Sequence, residues 1–449
     1  MDGRAQAPEV PPEGAIRKAV AAAGMGNAVE WFDFALYAYL ATTLEDVFFP
    51  DATGFVKTLS VWGIFAVSFL IRPVGSIVLG PLGDHIGRKA VLAVTIVAMS
   101  GATLAVGLIP GYASIGAGAP LLLILCRLVQ GFSTGGEYAG AATFMAEYAP
   151  NRRRGFLGSF LEFGTYVGYA LGAILVLILT LTLSDASMHA WGWRIPFLIA
   201  APLGVTGLYL RSRLNDTPEF AHASERGEMR TPFLKLLVGN WRRLLMLVGI
   251  VILLNIGYYI MLTYIPEYLT TVVKVGDVES QLITIGIYIG MMILIAPVGK
   301  LSDRFGRRPM LKISCAGFFL LSVPAFLAIN TKTPLGLIVG LAVMALLLLP
   351  LAATIPATLP ALFPTRVRYG SFAIGYNVST SLFGGTAPLI AAALIHQTGS
   401  PLIPAFYMMV AAVVAAPAIM AMPETRDVSM RDAGTARERL AQPGAVAPA

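Results

Sequence analysis

Four carboxylates and one arginine occupy positions that hydrocarbon is expected to surround, and their spacing is the first chemical signal in the sequence. Glu30 and Asp33 lie in GNAVEWFDFALY (26–37), and a charge near the middle of a bilayer costs at least about 2.5–3.5 kcal/mol. Helical spacing puts Asn27 and Tyr37 on the same face as these acids. Arg127, Gln130, Thr134, Glu137 and Tyr138 follow one another at i, i+3, i+7, i+10 and i+11, a single helical stripe. Glu162 stands beside a Gly164, Gly168, Gly172 ladder suited to close helix packing. A carboxylate withdrawn from water, with an arginine that can pair and leave, is a proton-binding switch. The expectation is that Glu30, Asp33, Glu137 or Glu162 binds a coupling proton while Arg127 alternates between a carboxylate and a substrate. A fixed buried network that only packs helices is the competing reading.

A second group of residues is suited to walling a cavity. Asn255, Tyr258, Tyr259 and Leu262 recur at i, i+3, i+4 and i+7, Tyr376, Asn377 and Thr380 lie on a later span, and Trp31, Phe34 and Tyr37 accompany the acids. Aromatic faces attract ammonium groups and an arginine can hold a carboxylate, so a small zwitterion fits this set. A dianion would want two converging cations, for which Arg72 and Arg127 are the candidates. Tyr264 and Tyr268 read as an interfacial belt. The four histidines (His85, His189, His222, His396) have no paired metal spacing and there is no phosphate-cradling loop, so neither an enzyme, a metal nor a cofactor is expected.

The elements that must position these residues are helices in a membrane. The 449 residues are 56% hydrophobic and 13% charged, against roughly one quarter charged in soluble chains. Apolar stretches of about 20 residues, enough to cross a bilayer, recur at 22–42, 58–81, 90–110, 120–148, 155–183, 193–211, 243–266, 281–299, 309–330, 334–362, 369–396 and 402–422. Strand-like alternation is missing, so the chain is expected to be an all-α integral membrane protein with twelve spans. Residues 1–20, acidic and proline-containing, read as a tail and not a cleaved signal. The basic residues crowd alternate loops, including Arg152 to Arg154, Arg304, Arg307 and Arg308, while the opposite loops hold only Lys57, Lys274 and Lys332. This bias places both termini in the cytoplasm. The net charge of +7 is thereby a topology and lipid signal, with no nucleic-acid partner implied.

GPLGDHIGRK (80–89) is echoed by GKLSDRFGRR (299–308), aligning Asp84 with Asp303 and Arg88 with Arg307. Pro150, Arg152 and Arg154 likewise pair with Pro364, Arg366 and Arg368. Two echoes in matching loops indicate duplication. The expected domains are a tail (1–20), an N-terminal six-helix half (21–211), a linker (212–242), a C-terminal half (243–422) and a second tail (423–449).

The loop at 80–89 resembles the signature of the major facilitator superfamily. FLIRPVG (69–75), RLVQGFSTGGEYAGA (127–141), WGWRIPF (191–197) and LPALFPTRVRYGS (359–371), with residues 26–37, resemble its metabolite:proton symporter branch, and within it the bacterial proline/betaine transporters. The resemblance covers roughly residues 20–425. It implies the major facilitator fold, transport by rocking of one half against the other around a midplane site, a proton and a small solute as partners, a bacterial inner membrane, and function as a monomer. It also implies that Gly83, Asp84, Arg88, Asp303 and Arg307 gate the cytoplasmic side. Ser302 replaces a glycine in the second copy, so the first copy is expected to be the stronger latch. Arg152 to Arg154 read as headgroup anchors, Arg194 as an interfacial anchor, and Arg72 as either a snorkelling group or a lock on its helix. The relatives' C-terminal coiled coil is not matched here, since 423–449 has no heptads. The rival substrates are carboxylic acids of the 2-oxoglutarate, citrate or shikimate type. A sensor or channel is a weaker reading, because no tail or linker is large enough for an output domain.

Overall fold

Twelve long helices, several of them interrupted, build the molecule in a computed structural model that describes residues 13–86, 88–212 and 239–430. They are α1 (Glu13–Tyr39), α2 (Phe55–Leu70 continued by Arg72–Ile86), α3 (Arg88–Leu108), α4 (Gly118–Thr134 continued by Glu137–Tyr148), α5 (Arg154–Thr182) and α6 (Arg194–Ser212), then α7 (Trp241–Tyr258, continued to Val273), α8 (Asp277–Phe305), α9 (Arg307–Ile329), α10 (Pro334–Thr358), α11 (Thr365–Ser379, continued to Thr398) and α12 (Ile403–Ala421). Nine of these are long and apolar enough to cross a membrane by length and composition alone. The charges of α1 dilute its hydropathy, and α3 and α6 have shorter apolar stretches, Ala93–Leu108 and Arg194–Tyr209. Helix α1 already begins at Glu13, so residues 13–20, read as tail, are helical. Most of the expected linker, 213–238, lies outside the described residues.

Small residues decide the closest approach. A Cβ on Gly164 would lie 2.1 Å from the Gly24 carbonyl oxygen, and one on Gly168 would lie 2.5 Å from that of Ala28. The glycine ladder therefore lets α5 lie directly on α1.

Several helices are locally unwound, which the sequence reading did not foresee. Helix α4 stops at Thr134 and resumes at Glu137 across Gly135 and Gly136, so the five-residue stripe expected there is cut between Thr134 and Glu137. Helix α2 breaks at Ile71, two residues before Pro73, whose missing N–H cannot return a bond to Phe69. Helices α7 and α11 contain π-helical turns at Tyr259–Tyr264, Tyr268–Val273 and Thr380–Gly384, a distortion frequent at functional sites.

Candidate substrate and proton site

The two acids of α1 meet different partners. Asp33 is held on both oxygens, by Arg127 Nη1 at 3.0 Å and Gln130 Nε2 at 3.1 Å, and Gln130 is also 2.8 Å from Thr103 Oγ1. The Arg127 guanidinium lies 4.1 Å from the centre of the Tyr37 ring, whose hydroxyl donates to the Val61 carbonyl. All five side chains are buried. Glu30 instead faces Arg72 at 3.5 Å, with both 2% exposed. Arg72 lies over the rings of Phe69 (4.2 Å) and Phe34 (5.0 Å), and its Nε has no hydrogen-bond partner. Burial removes the snorkelling option for Arg72. Its companion Glu30 sits beside the aromatic cluster, whereas the Asp33–Arg127 pair is enclosed among α2, α3 and α4.

Glu162 anchors that aromatic cluster. Tyr138 donates to it at 2.5 Å, Tyr258 donates to its other oxygen, and Thr165 lies 3.4 Å away. Trp31 packs at 6.0 Å from Tyr258, 5.8 Å from Tyr259 and 5.7 Å from Tyr169, centre to centre, and Tyr138 stacks on Tyr376 at 4.3 Å. Trp31, Tyr138, Glu162, Leu254, Asn255, Tyr258, Tyr259 and Tyr376 enclose a cavity of about 10 Å³, about the space of one water. The Tyr259 hydroxyl is buried without a partner. Asn255 donates to Ser379 and accepts from Thr380, which fixes its amide.

Three expected cavity residues do not line that cavity. Asn27 donates to the Leu161 carbonyl and to Thr165, tying α1 to α5. Phe34 packs on Phe65 and Phe69 and stands behind the wall, 5.5 Å from Trp31 and 5.0 Å from Arg72. Asn377 donates to Ser76 and to the Gly135 carbonyl of the opposite half. Glu137 is buried at the start of the second segment of α4. Tyr166 and Tyr169 join the centre without having been chosen, whereas Tyr138 was expected only as part of the α4 stripe and Arg72 only as a cation for a dianion. Arg72 carried the clearest signal of these, a charge next to a proline inside an apolar span.

The two halves touch at both faces. On the basic face Asp303 accepts from the backbone N–H groups of Gly155 and Phe156 at 2.8 Å each, and from Arg307 at 2.6 Å. Ser302 accepts from Arg307 as well, so the serine expected to weaken this copy takes part in it. The side chains of Asp84 and Arg88, and Gly83, lie outside the described residues. Arg154 is not a headgroup anchor: it is buried and donates to the Ala146 and Val428 carbonyls, while Arg152 and Arg153 are exposed. Its repeat partner Arg368 pairs with Glu147 of the other half at 2.7 Å. Residues 423–430 cross this face, with Glu424 accepting from the N–H groups of Arg307 and Arg308 at the start of α9, and Met430 accepting from Arg368. Arg194, at the opposite face, binds the Gly107 and Ile109 carbonyls that end α3. There the halves join through Tyr39 to Thr284 (2.8 Å) and Tyr288 (3.2 Å), and through Trp62 to Glu267 (2.5 Å).

Twelve helices closing on a buried polar centre from both faces match a known family model, the Major Facilitator Superfamily, over residues 24–375 and 273–445. The chain belongs to the major facilitator superfamily. Its major facilitator fold is that of two six-helix halves, and it is a membrane transporter and not an enzyme. It is 43% identical over 432 residues to the proline/betaine transporter of Escherichia coli (strain K12), covering 94% of this chain and 86% of that one. Identity is 42% over 441 residues to the glycine betaine/proline/ectoine/pipecolic acid transporter of Dickeya dadantii, covering 96% and 88%. It is also 42% over 431 residues to the ectoine/proline transporter of Corynebacterium glutamicum, covering 93% and 85%. Among solved major facilitator structures, the proton:xylose symporter XylE superposes with a TM-score of 0.77 at 17% identity, covering 93% of this chain and 98% of that one.

Proposed function

We propose that the protein is a proton-coupled symporter of a small zwitterionic solute, of the proline and glycine betaine type, working by alternating access. The observation that carries this reading is the aromatic box of Trp31, Tyr138, Tyr258, Tyr259 and Tyr376 beside the Glu30–Arg72 pair. Faces of Trp and Tyr attract a quaternary or secondary ammonium by their ring quadrupoles, and a desolvated box is worth about 2 kcal/mol or more. A guanidinium offers the substrate carboxylate two parallel donors. When that carboxylate takes Arg72, Glu30 loses its cation and takes up a proton; when Glu30 releases the proton, it reclaims Arg72 and the substrate leaves. Arg127 is not the exchanging cation in this scheme, because Asp33 and Tyr37 enclose it. Glu162, with two tyrosine donors, orients the box.

This assignment of Arg72 also argues against the rival acid substrates. A dianion would need two free cations at one place, and Arg127 is already matched to Asp33. The carrier works as a monomer in the bacterial inner membrane, with the basic face and both termini cytoplasmic, so Asp84, Arg88, Asp303 and Arg307 gate the inner side. Uptake driven by an imposed pH gradient into proteoliposomes tests the function. Excess glycine betaine and proline are expected to compete with one another, and 2-oxoglutarate and citrate to leave uptake unchanged. Competition by the acids alone, or uptake indifferent to the gradient, refutes it.

A further inference from the structure

Two backbone carbonyls of the first half, exposed where its helices break, are taken by side chains of the second half. Pro73 has no N–H, so the Phe69 carbonyl of α2 lacks its ordinary i+4 donor and has from the backbone only the N–H of Ile71, which it shares with the Val67 carbonyl. Ser381 Oγ of α11 donates to it at 2.5 Å. One break away, the Gly135 carbonyl in the gap of α4 accepts from Asn377 of α11 and from Ser76 of α2. Ser381 lies in the π-turn Thr380–Gly384, which rotates its hydroxyl toward α2. Next to it a Cβ on Gly385 would lie 2.2 Å from the Phe69 ring, so α11 presses its backbone against the same phenylalanine. That ring stands 4.2 Å from the Arg72 guanidinium and 5.0 Å from the Tyr259 ring.

We propose that Ser381 is a positioning residue of the transport cycle: its clasp on the Phe69 carbonyl, which Pro73 deprives of its i+4 donor, closes the seam between α2 and α11 and holds the kink that presents Arg72. The contact is uncharged, so closing and opening it exchanges one neutral hydrogen bond for water and moves no proton. A buried carbonyl left with only a shared donor destabilises the closed seam, whereas in the open form water satisfies it. Closure of this seam is thereby coupled to the place where the substrate carboxylate is proposed to bind, and that part rests on the transport reading above; the clasp itself does not.

The test is a double-mutant cycle read by spin-label distances across the basic face. Labels go on exposed positions of the two halves, Arg153→Cys and Lys312→Cys, in a background carrying Cys126→Ser and Cys315→Ser, with the protein reconstituted in bilayers. Ser381→Ala is expected to raise the ratio of long to short distances about three- to tenfold, the size of one lost neutral hydrogen bond. In the Pro73→Ala background residue 73 regains an N–H for the Phe69 carbonyl, and Ser381→Ala is expected to shift the ratio less than twofold. Asn377→Ala, which acts on the other carbonyl, is expected to give the same shift in both backgrounds. An unchanged distribution in Ser381→Ala, an equal shift with and without Pro73, or a Pro73-dependent effect of Asn377→Ala overturns the proposal. These distances are independent of substrate identity, so failure of the zwitterion reading would leave the result standing.

Discussion

Glu30 and Asp33 are one helical turn apart and equally buried, yet only Asp33 has both oxygens bound by the Arg127 and Gln130 side chains. Neutralising each is expected to have different consequences. Glu30→Gln abolishes accumulation driven by a pH gradient while counterflow stays within about threefold, because the exchange of Arg72 with substrate survives without the proton. Asp33→Ala leaves Arg127 buried and uncompensated, which costs about 3–5 kcal/mol; accumulation, counterflow and thermal stability fall together. Retained gradient-driven accumulation in Glu30→Gln, or a fully stable and active Asp33→Ala, contradicts the assignment. The importance of both acids was legible in the sequence, because a charge in an apolar span demands a reason. Their division of labour was not, because it depends on which of two arginines, 55 positions apart in the chain, packs against which acid.

Periodicity carried the helices and the close-packing face of α5, since glycines every fourth residue make one smooth face, but it did not say that α1 is the helix packed there. Gly164→Val would force a side chain into the α1 backbone at 2.1 Å; overpacking of that kind costs about 1–3 kcal/mol or more, and a lowered melting temperature with loss of transport is expected. What periodicity could not carry were the breaks. A regular count treats Gly135, Gly136 and Pro73 as places in a continuous helix, although the helical hydrogen bonding is interrupted at the first two and just before the third. The placement of Asn377 was missed for the same reason: its donor reaches a carbonyl that a regular α4 would have used internally. A short helix beyond α1, Ala41–Phe48, carries Glu45. Burial, outweighing a hydrogen bond from Thr58 and the attraction of Lys57 and aided by Asp46, pushes its carboxyl from 4.5 up to about 7. A folded-state pKa above the unfolded one penalises folding progressively as pH rises through that interval, and the penalty is complete above about 7. Glu45→Gln is accordingly expected to raise the melting temperature at pH 8 and to change it little at pH 4, which thermal unfolding at the two pH values checks.

For the whole molecule, the repeat told more than the composition. Composition yields spans; the echo of Asp84 and Arg88 in Asp303 and Arg307 yields two halves, and the echo of Arg154 in Arg368 marks two buried arginines that a count of loop charges reads as headgroup anchors. Arg368 reaches Glu147 across the halves. Arg368→Ala is expected to remove the bond between Glu147 and the other half and to favour the form open at the basic face, seen as faster alkylation of a cysteine placed in the cavity from that side. Unchanged alkylation would assign the pair to packing alone.

The segment at 423–430 has a consequence for biosynthesis. Glu424 caps α9, Arg154 reaches the carbonyl of Val428 and Arg368 that of Met430. These bonds span both halves, and none can form until the ribosome has passed α12. Each half can insert and pack as its own helices emerge, since domains fold as units during synthesis, but the seal over the basic face is completed last. A nascent chain stalled before residue 423 is therefore a pair of packed halves fastened at that face by Asp303 and Arg368 but without the strap that covers it.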